Sequence, residues 1–125
     1  MKRKPVSYPA DCNEASPLRL QEVAGCLGLE EEALALRCGI SRSTYYRRKQ
    51  SKKSLSAAES DLLDRHSRIH AQARDVFESG AAATNWLKTP QYGLGGTVPL
   101  DAIRTTAGFR EVEKLLTRID YGVYA

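Results

Sequence analysis

The sequence predicts an all-α protein in which an N-terminal helix-turn-helix unit precedes a second small helical unit. Apolar residues recur at intervals of three and four along most of the 125-residue chain, which is the spacing of amphipathic helices. Glycines and prolines fall where these patterns stop, as expected at helix ends. A chain of this length can form two small helical units, and we expect them at residues 16–54 and 55–125.

The first helix is predicted to follow a disordered arm over residues 1–15, which contain two prolines and a basic start. Ser16 is a good N-cap, Pro17 suits the first helical position, and Gly28 ends the helix. We expect its apolar face to pack on the next two helices; this face consists of Leu20, Val23, Ala24 and Leu27.

The helix-turn-helix prediction rests on residues 30–50. A short amphipathic helix over residues 30–38 is followed by Gly39, which makes the turn. Ser41 then caps a second helix from Arg42 to about Gln50. Two helices that cross closely need small or apolar residues at the crossing, and the sequence supplies Ala35, Gly39, Ile40 and Tyr45.

The net positive charge is concentrated around this motif. Residues 1–55 hold 11 basic and 6 acidic residues, a net +5, whereas residues 56–125 hold 8 and 9, a net −1. Residues 42–53 contain no acid, which is the electrostatic footprint of a phosphate-binding face. We therefore predict contacts to operator DNA from Ser41, Arg42, Ser43, Thr44, Tyr46, Arg47 and Arg48.

Two observations keep an alternative open for this motif. A generic helical hairpin with a solvated basic edge has the same composition. An aliphatic residue also often stands where this chain has Arg48, so the second helix would be anchored mainly through Tyr45.

The second unit begins with a capping box, Ser56 with Glu59, that opens a long helix to about residue 79. Shorter helices are predicted over residues 81–87, 99–105 and 106–119. An apolar stripe on the long helix is either a dimer interface or part of the core: Leu62, Ile69, Ala73 and Val76.

Candidate chemistry in the chain is sparse. His66 and His70 lie four residues apart on the long helix, but no third ligand accompanies them, so we predict no metal site and no cofactor. Three widely spaced cysteines indicate neither a disulfide framework nor a zinc site. A small enzyme using His66, His70 or Cys12 is an alternative, but acid, base and nucleophile are not clustered in the sequence, and we predict no enzyme.

The chain ends on an apolar, aromatic tail that predicts a protein partner, because exposed apolar patches mark contact surfaces. Gly122 allows a bend after the last helix, and folding of the tyrosines onto Trp86 and Phe109 is the alternative. The candidate binding residues are Arg118, Tyr121, Gly122, Val123, Tyr124 and Ala125. No apolar run is long enough to span a bilayer and no signal core follows Met1, so we expect a cytoplasmic protein without membrane contact.

Many positions of the second half carry a resemblance: Trp86, Leu87, Pro90, residues 94–96 and 99–101, Gly108, Val112, Leu115, Leu116, Arg118, Ile119, Gly122 and Val123. Together they look like the toxin-binding domain shared by Xre, MbcA and ParS antitoxins. Residues 39–48 are similar to the helix-turn-helix of the Xre members, although that motif alone fits many DNA-binding proteins.

The resemblance implies a homodimeric antitoxin of a type II toxin-antitoxin system. Its C-terminal domain would bind and block a RES-domain toxin, an enzyme that degrades NAD, and its N-terminal domain would repress the shared promoter. The main alternative is a free-standing dimeric repressor whose second half only dimerises.

Overall fold

The computed structural model describes residues 17–51 and 54–122, which are helical apart from turns, a single 3₁₀ turn and one isolated bridge between Gln91 and Thr97. The predicted all-α fold is confirmed. The expected arm over residues 1–15 and tail residues Val123, Tyr124 and Ala125 lie outside the described residues. The helices are α1 (Pro17–Leu27), α2 (Glu31–Arg37), α3 (Arg42–Ser51), α4 (Ala57–Phe77), α5 (Gly80–Lys88), α6 (Pro99–Ala102) and α7 (Thr106–Asp120).

Two compact units divide within α4, between Asp64 and Arg65. The first unit contains α1, α2, α3 and the first two turns of α4. Its buried apolar residues include those predicted on α1 together with Leu34, Ala35, Cys38, Ile40, Tyr45, Leu55 and Leu63. The guanidinium of Arg19 is buried in this unit and lies 2.9 Å from the Asp64 carboxylate.

The helices α1 and α2 end in the same way, through a glycine with left-handed backbone. Gly28 has φ 63° and Gly39 has φ 85°. After each glycine the next N–H returns to a carbonyl five residues earlier: Leu29 to Ala24 at 3.0 Å, and Ile40 to Ala35 at 2.9 Å. These are Schellman endings, which need a glycine because other residues are strained at positive φ. The ending at Gly39 fixes the direction in which the chain enters α3.

The second unit packs α5, α6, α7 and the rest of α4 around its own core. Side chains that are fully buried there include Ile69, Ala73, Leu87, Ile103, Val112 and Leu116. The 3₁₀ turn, Tyr92–Leu94, packs against α7, where Gly93 lies on the side chain of Leu115.

Two predicted helix ends differ from the observed ones because a cap residue intervenes. The α4 helix stops at Phe77 rather than near residue 79, since Glu78 has φ 57° and Ser79 caps α5 by accepting from the Ala82 N–H. The helix expected over residues 99–105 is a single turn, since Thr105 caps α7 by accepting from the Gly108 N–H at 3.0 Å.

Candidate functional site

The predicted helix-turn-helix is formed by α2 and α3. Ala35 and Ile40 are buried between these elements and α1, and Tyr45 anchors α3 with 7% of its surface exposed. Ser41 caps α3 by accepting from the Thr44 N–H at 3.3 Å and donates to the Thr44 hydroxyl at 2.9 Å. The hydroxyl groups of Ser41 and Thr44 are therefore both hydrogen-bonded within the first turn of α3.

The predicted DNA-contacting residues divide by exposure. Arg42, Ser43, Tyr46 and Arg47 are exposed, as is the neighbouring Lys49. Thr44 is half-buried against the helix start. The exposed group is the part of α3 that the structure leaves available to a ligand.

Arg48 is three-quarters buried, with 25% of its side chain exposed, and forms an ion pair with Glu59. Glu59 also accepts from the Ser56 N–H at 2.8 Å, and its own N–H donates to the Ser56 hydroxyl at 3.2 Å, so the predicted capping box is confirmed. Burial alone raises the pKa of Glu59, but hydrogen bonds from Arg48 and Ser56 outweigh it and lower the pKa. Arg48 thus replaces the usual aliphatic anchor with an ionic one.

Two acids of α2 bind side chains of α3, one on its exposed side and one on its buried side, and sequence reasoning missed both. The Glu32 carboxylate lies 3.0 Å from the Arg42 guanidinium and accepts from the Tyr46 hydroxyl at 2.6 Å. Glu31 accepts from the Tyr45 hydroxyl in the same way, and burial followed by this hydrogen bond raises the pKa of Tyr45 above its usual range. Sequence periodicity does not indicate that residues fourteen positions apart are in contact. The consecutive glutamates of α2 and the consecutive tyrosines of α3 are the feature from which these contacts could have been predicted.

A shallow groove of about 380 Å³ adjoins these residues in the first unit. Arg42 and Glu32 form one part of its lining, and Leu36, with 64% of its surface exposed, forms the apolar part. The groove is therefore amphipathic and lies beside the N-terminal turn of α3.

The second candidate surface lies on α7 and the residues after it. Arg118 is exposed, Tyr121 has 78% of its surface exposed, and Gly122 has φ 75°. Tyr121 therefore does not pack into the core. Trp86 instead packs against Phe77 with ring centres 5.6 Å apart, and Phe109 is buried with the Arg68 guanidinium 5.8 Å from its ring centre.

The histidines and the apolar stripe of α4 are mostly interior. His66 and His70 are buried, and burial followed by the charge of Arg74 lowers the pKa of His70. Within residues 17–51 and 54–122, no three His, Cys, Asp or Glu side chains are grouped as metal ligands. Ile69 and Ala73 are fully buried within the chain itself, so these two members of the stripe belong to its core. No helix in the described part of the chain is both apolar and long enough to cross a bilayer.

Comparison with known families divides the chain as the structure does, near the middle of α4. Residues 13–66 match the antitoxin Xre-like helix-turn-helix domain, and residues 72–122 match the antitoxin Xre/MbcA/ParS C-terminal toxin-binding domain.

Three similar curated proteins are each named Antitoxin Xre. One from Photorhabdus laumondii is 34% identical over 86 residues, which cover 68% of this chain and 58% of that protein. One from Pseudomonas putida is 35% identical over 68 residues, which cover 54% of this chain and 43% of that protein. One from Yersinia enterocolitica is 33% identical over 89 residues, which cover 70% of this chain and 60% of that protein. The chain thus spans 43% to 60% of the length of these relatives.

Proposed function

Since the chain belongs to the Xre-type antitoxin family, we propose that it is the antitoxin of a type II toxin-antitoxin system and binds and inhibits the partner toxin. The observation that carries this proposal is the match of residues 72–122 to a toxin-binding domain, which coincides with a unit that has its own core. A self-contained unit with an exposed aromatic residue at the end of its last helix is suited to protein binding.

The partner we propose is a RES-domain toxin that degrades NAD, as the family resemblance implies. The toxin-contacting residues are Arg118, Tyr121, Gly122, Val123, Tyr124 and Ala125. Support comes from the exposure of Arg118 and Tyr121 and from the left-handed backbone of Gly122, which lets the chain leave the helix axis. The role of the antitoxin is occlusion of the toxin, not catalysis.

Repression of its own operon is the second part of the proposal, with α3 as the reading helix of a homodimer. The exposed residues Arg42, Ser43, Tyr46 and Arg47 are of the types that contact phosphates and base edges. Since Ile69 and Ala73 are core residues, a dimer contact through the α4 stripe would be limited to its half-buried members Leu62 and Val76.

Removal of residues 121–125 tests the toxin-binding role. The chain is co-expressed with the product of the adjacent gene, and cellular NAD and co-purification are measured. We expect the full chain to co-purify with the toxin and preserve NAD, and the shortened chain to remain folded, keep its operator affinity and lose protection.

The matched control is Tyr92→Ala, which removes another exposed tyrosine, 92% accessible, from the same unit. A shortened chain that still protects NAD contradicts the role of the tail. A full chain that binds operator but never the adjacent product supports the free-standing repressor instead.

A further inference from the structure

The exposed side of α7 carries a row of cations. Arg110, Lys114 and Arg118 are spaced four residues apart and all are exposed. Residues at this spacing lie on one side of a helix, and eight residues extend about 12 Å along its axis. Tyr121 follows one turn later on the same side with 78% of its surface exposed. We call these four residues the α7 basic face.

The opposite side of α7 is fixed by the core, which leaves the basic face outward. Phe109, Val112, Leu115 and Leu116 are buried. The helix is held at its start by Arg65, which donates to the Arg104 carbonyl at 3.1 Å and to the Thr106 hydroxyl at 2.9 Å. The basic face therefore stands on a rigid element, which lowers the entropic cost of binding through it.

The cations of this face are little used within the chain. The Lys114 ammonium lies 3.9 Å from the Glu111 carboxylate, a distant and exposed pair that contributes little stability. Among the described residues, no ion pair or side-chain hydrogen bond involves Arg110 or Arg118. The three cations point outward, share one weak ion pair and repel each other. An anionic ligand would relieve this repulsion.

We propose that the α7 basic face docks on an acidic surface of the toxin, an inference that rests on the proposed antitoxin function. Charge complementarity selects the occupant: three cations in a row attract a protein surface that is rich in Asp and Glu. Arginine and tyrosine are among the residues enriched at the centres of protein interfaces, which favours a protein over a purely solvated face. The cations steer association, and the Tyr121 ring slows dissociation.

The test measures association and dissociation rates between the full-length chain and the co-purified product of the adjacent gene, at low and high salt. Arg110→Glu/Arg118→Glu should slow association at least about tenfold at low salt, and the difference should shrink at high salt, since screening removes long-range steering. Tyr121→Ala should raise the dissociation rate, whereas Tyr121→Phe should leave it nearly unchanged.

The matched control is Arg74→Glu/Arg104→Glu, which makes the same change in net charge at exposed positions of the same unit outside α7. Circular dichroism establishes that each variant is folded. Association that is equally fast in the α7 variant, or equally slowed in the control, overturns the proposal. Loss of operator binding with unchanged toxin binding also overturns it, because the face then contacts nucleic acid. A wild-type chain that never binds the adjacent product instead refutes the antitoxin function itself.

Discussion

At the scale of single residues, Gly108 is the glycine of the second unit, among the described residues, that leaves the least room for a side chain. A methyl group added there would lie 1.9 Å from the Ala102 carbonyl oxygen, which is backbone and cannot rotate away. A glycine is required because the start of α7 passes against the end of α6.

Gly108→Ala should therefore lower the free energy of unfolding by about 3 kcal/mol, the upper end for overpacking. Gly25→Ala is the control: its added methyl meets nothing within 4 Å inside α1, so it should raise stability by about 0.5 kcal/mol. Denaturant titration of both variants checks the pair. Similar effects of the two substitutions would contradict the close approach seen at Gly108.

Gly93 shows why contact distance alone does not decide such an effect. A methyl there would lie 2.8 Å from a side-chain methyl of Leu115, which can move. The cost is accordingly smaller than at Gly108.

At the scale of elements, the junction between α3 and α4 depends on one ion pair. Arg48 lies near the end of α3, and Glu59 both binds it and closes the capping box of α4. Burial opposes the charge of Glu59, yet the bonds from Arg48 and Ser56 leave its pKa below the ordinary 4.5. A lowered carboxyl pKa stabilises the fold above the unfolded-state pKa, and that stabilisation is lost as pH falls through the folded-state pKa.

Glu59→Gln removes the ion pair with Arg48 but keeps the capping box, because glutamine can still accept from the Ser56 N–H. We expect a loss of about 1.5–3 kcal/mol at neutral pH, the range for hydrogen bonds to charged groups, that vanishes at pH well below 4.5. Thermal unfolding across pH measures it, with Glu22→Gln on the exposed side of α1 as control. A loss that persists unchanged in acid would contradict the ionic role of Glu59.

The sequence predicted the helices well because their signals are local. Ser41, Ser56 and Gly39 act within four residues of themselves, so cap and turn chemistry locates the end of α2 and the starts of α3 and α4. The partners of Arg48 and Arg42 were not predictable in this way. Their acids lie eleven and ten positions away, and which side chains meet there depends on how the helices cross.

At the scale of the whole molecule, the proposed operator binding would depend on how many copies of α3 contact the DNA at once. The slope of log affinity against log salt falls by about 0.9 for each phosphate that a cation neutralises. If Arg42 and Arg47 each contact one phosphate, Arg42→Ala/Arg47→Ala should reduce the slope by roughly 2 for one chain and roughly 4 for a homodimer.

Gel-shift titrations at several salt concentrations measure this slope, and sedimentation of the free protein counts the chains. Lys88→Ala, an exposed cation of the second unit, is the control. An unchanged slope in the double variant would exclude this face of α3 from DNA binding.

The pairing of Glu32 with Arg42 and Tyr46 has a consequence for that equilibrium. The Glu32 carboxylate accepts from Arg42 and Tyr46 as a phosphate oxygen would, so it is an internal mimic of the phosphate that we propose these residues contact. Contact with DNA through Arg42 is then an exchange of one anion for another, and its net gain is smaller than that of a cation taken from water. We therefore expect a lower binding free energy per contact at this site, and weaker binding of the free protein to polyanions in general.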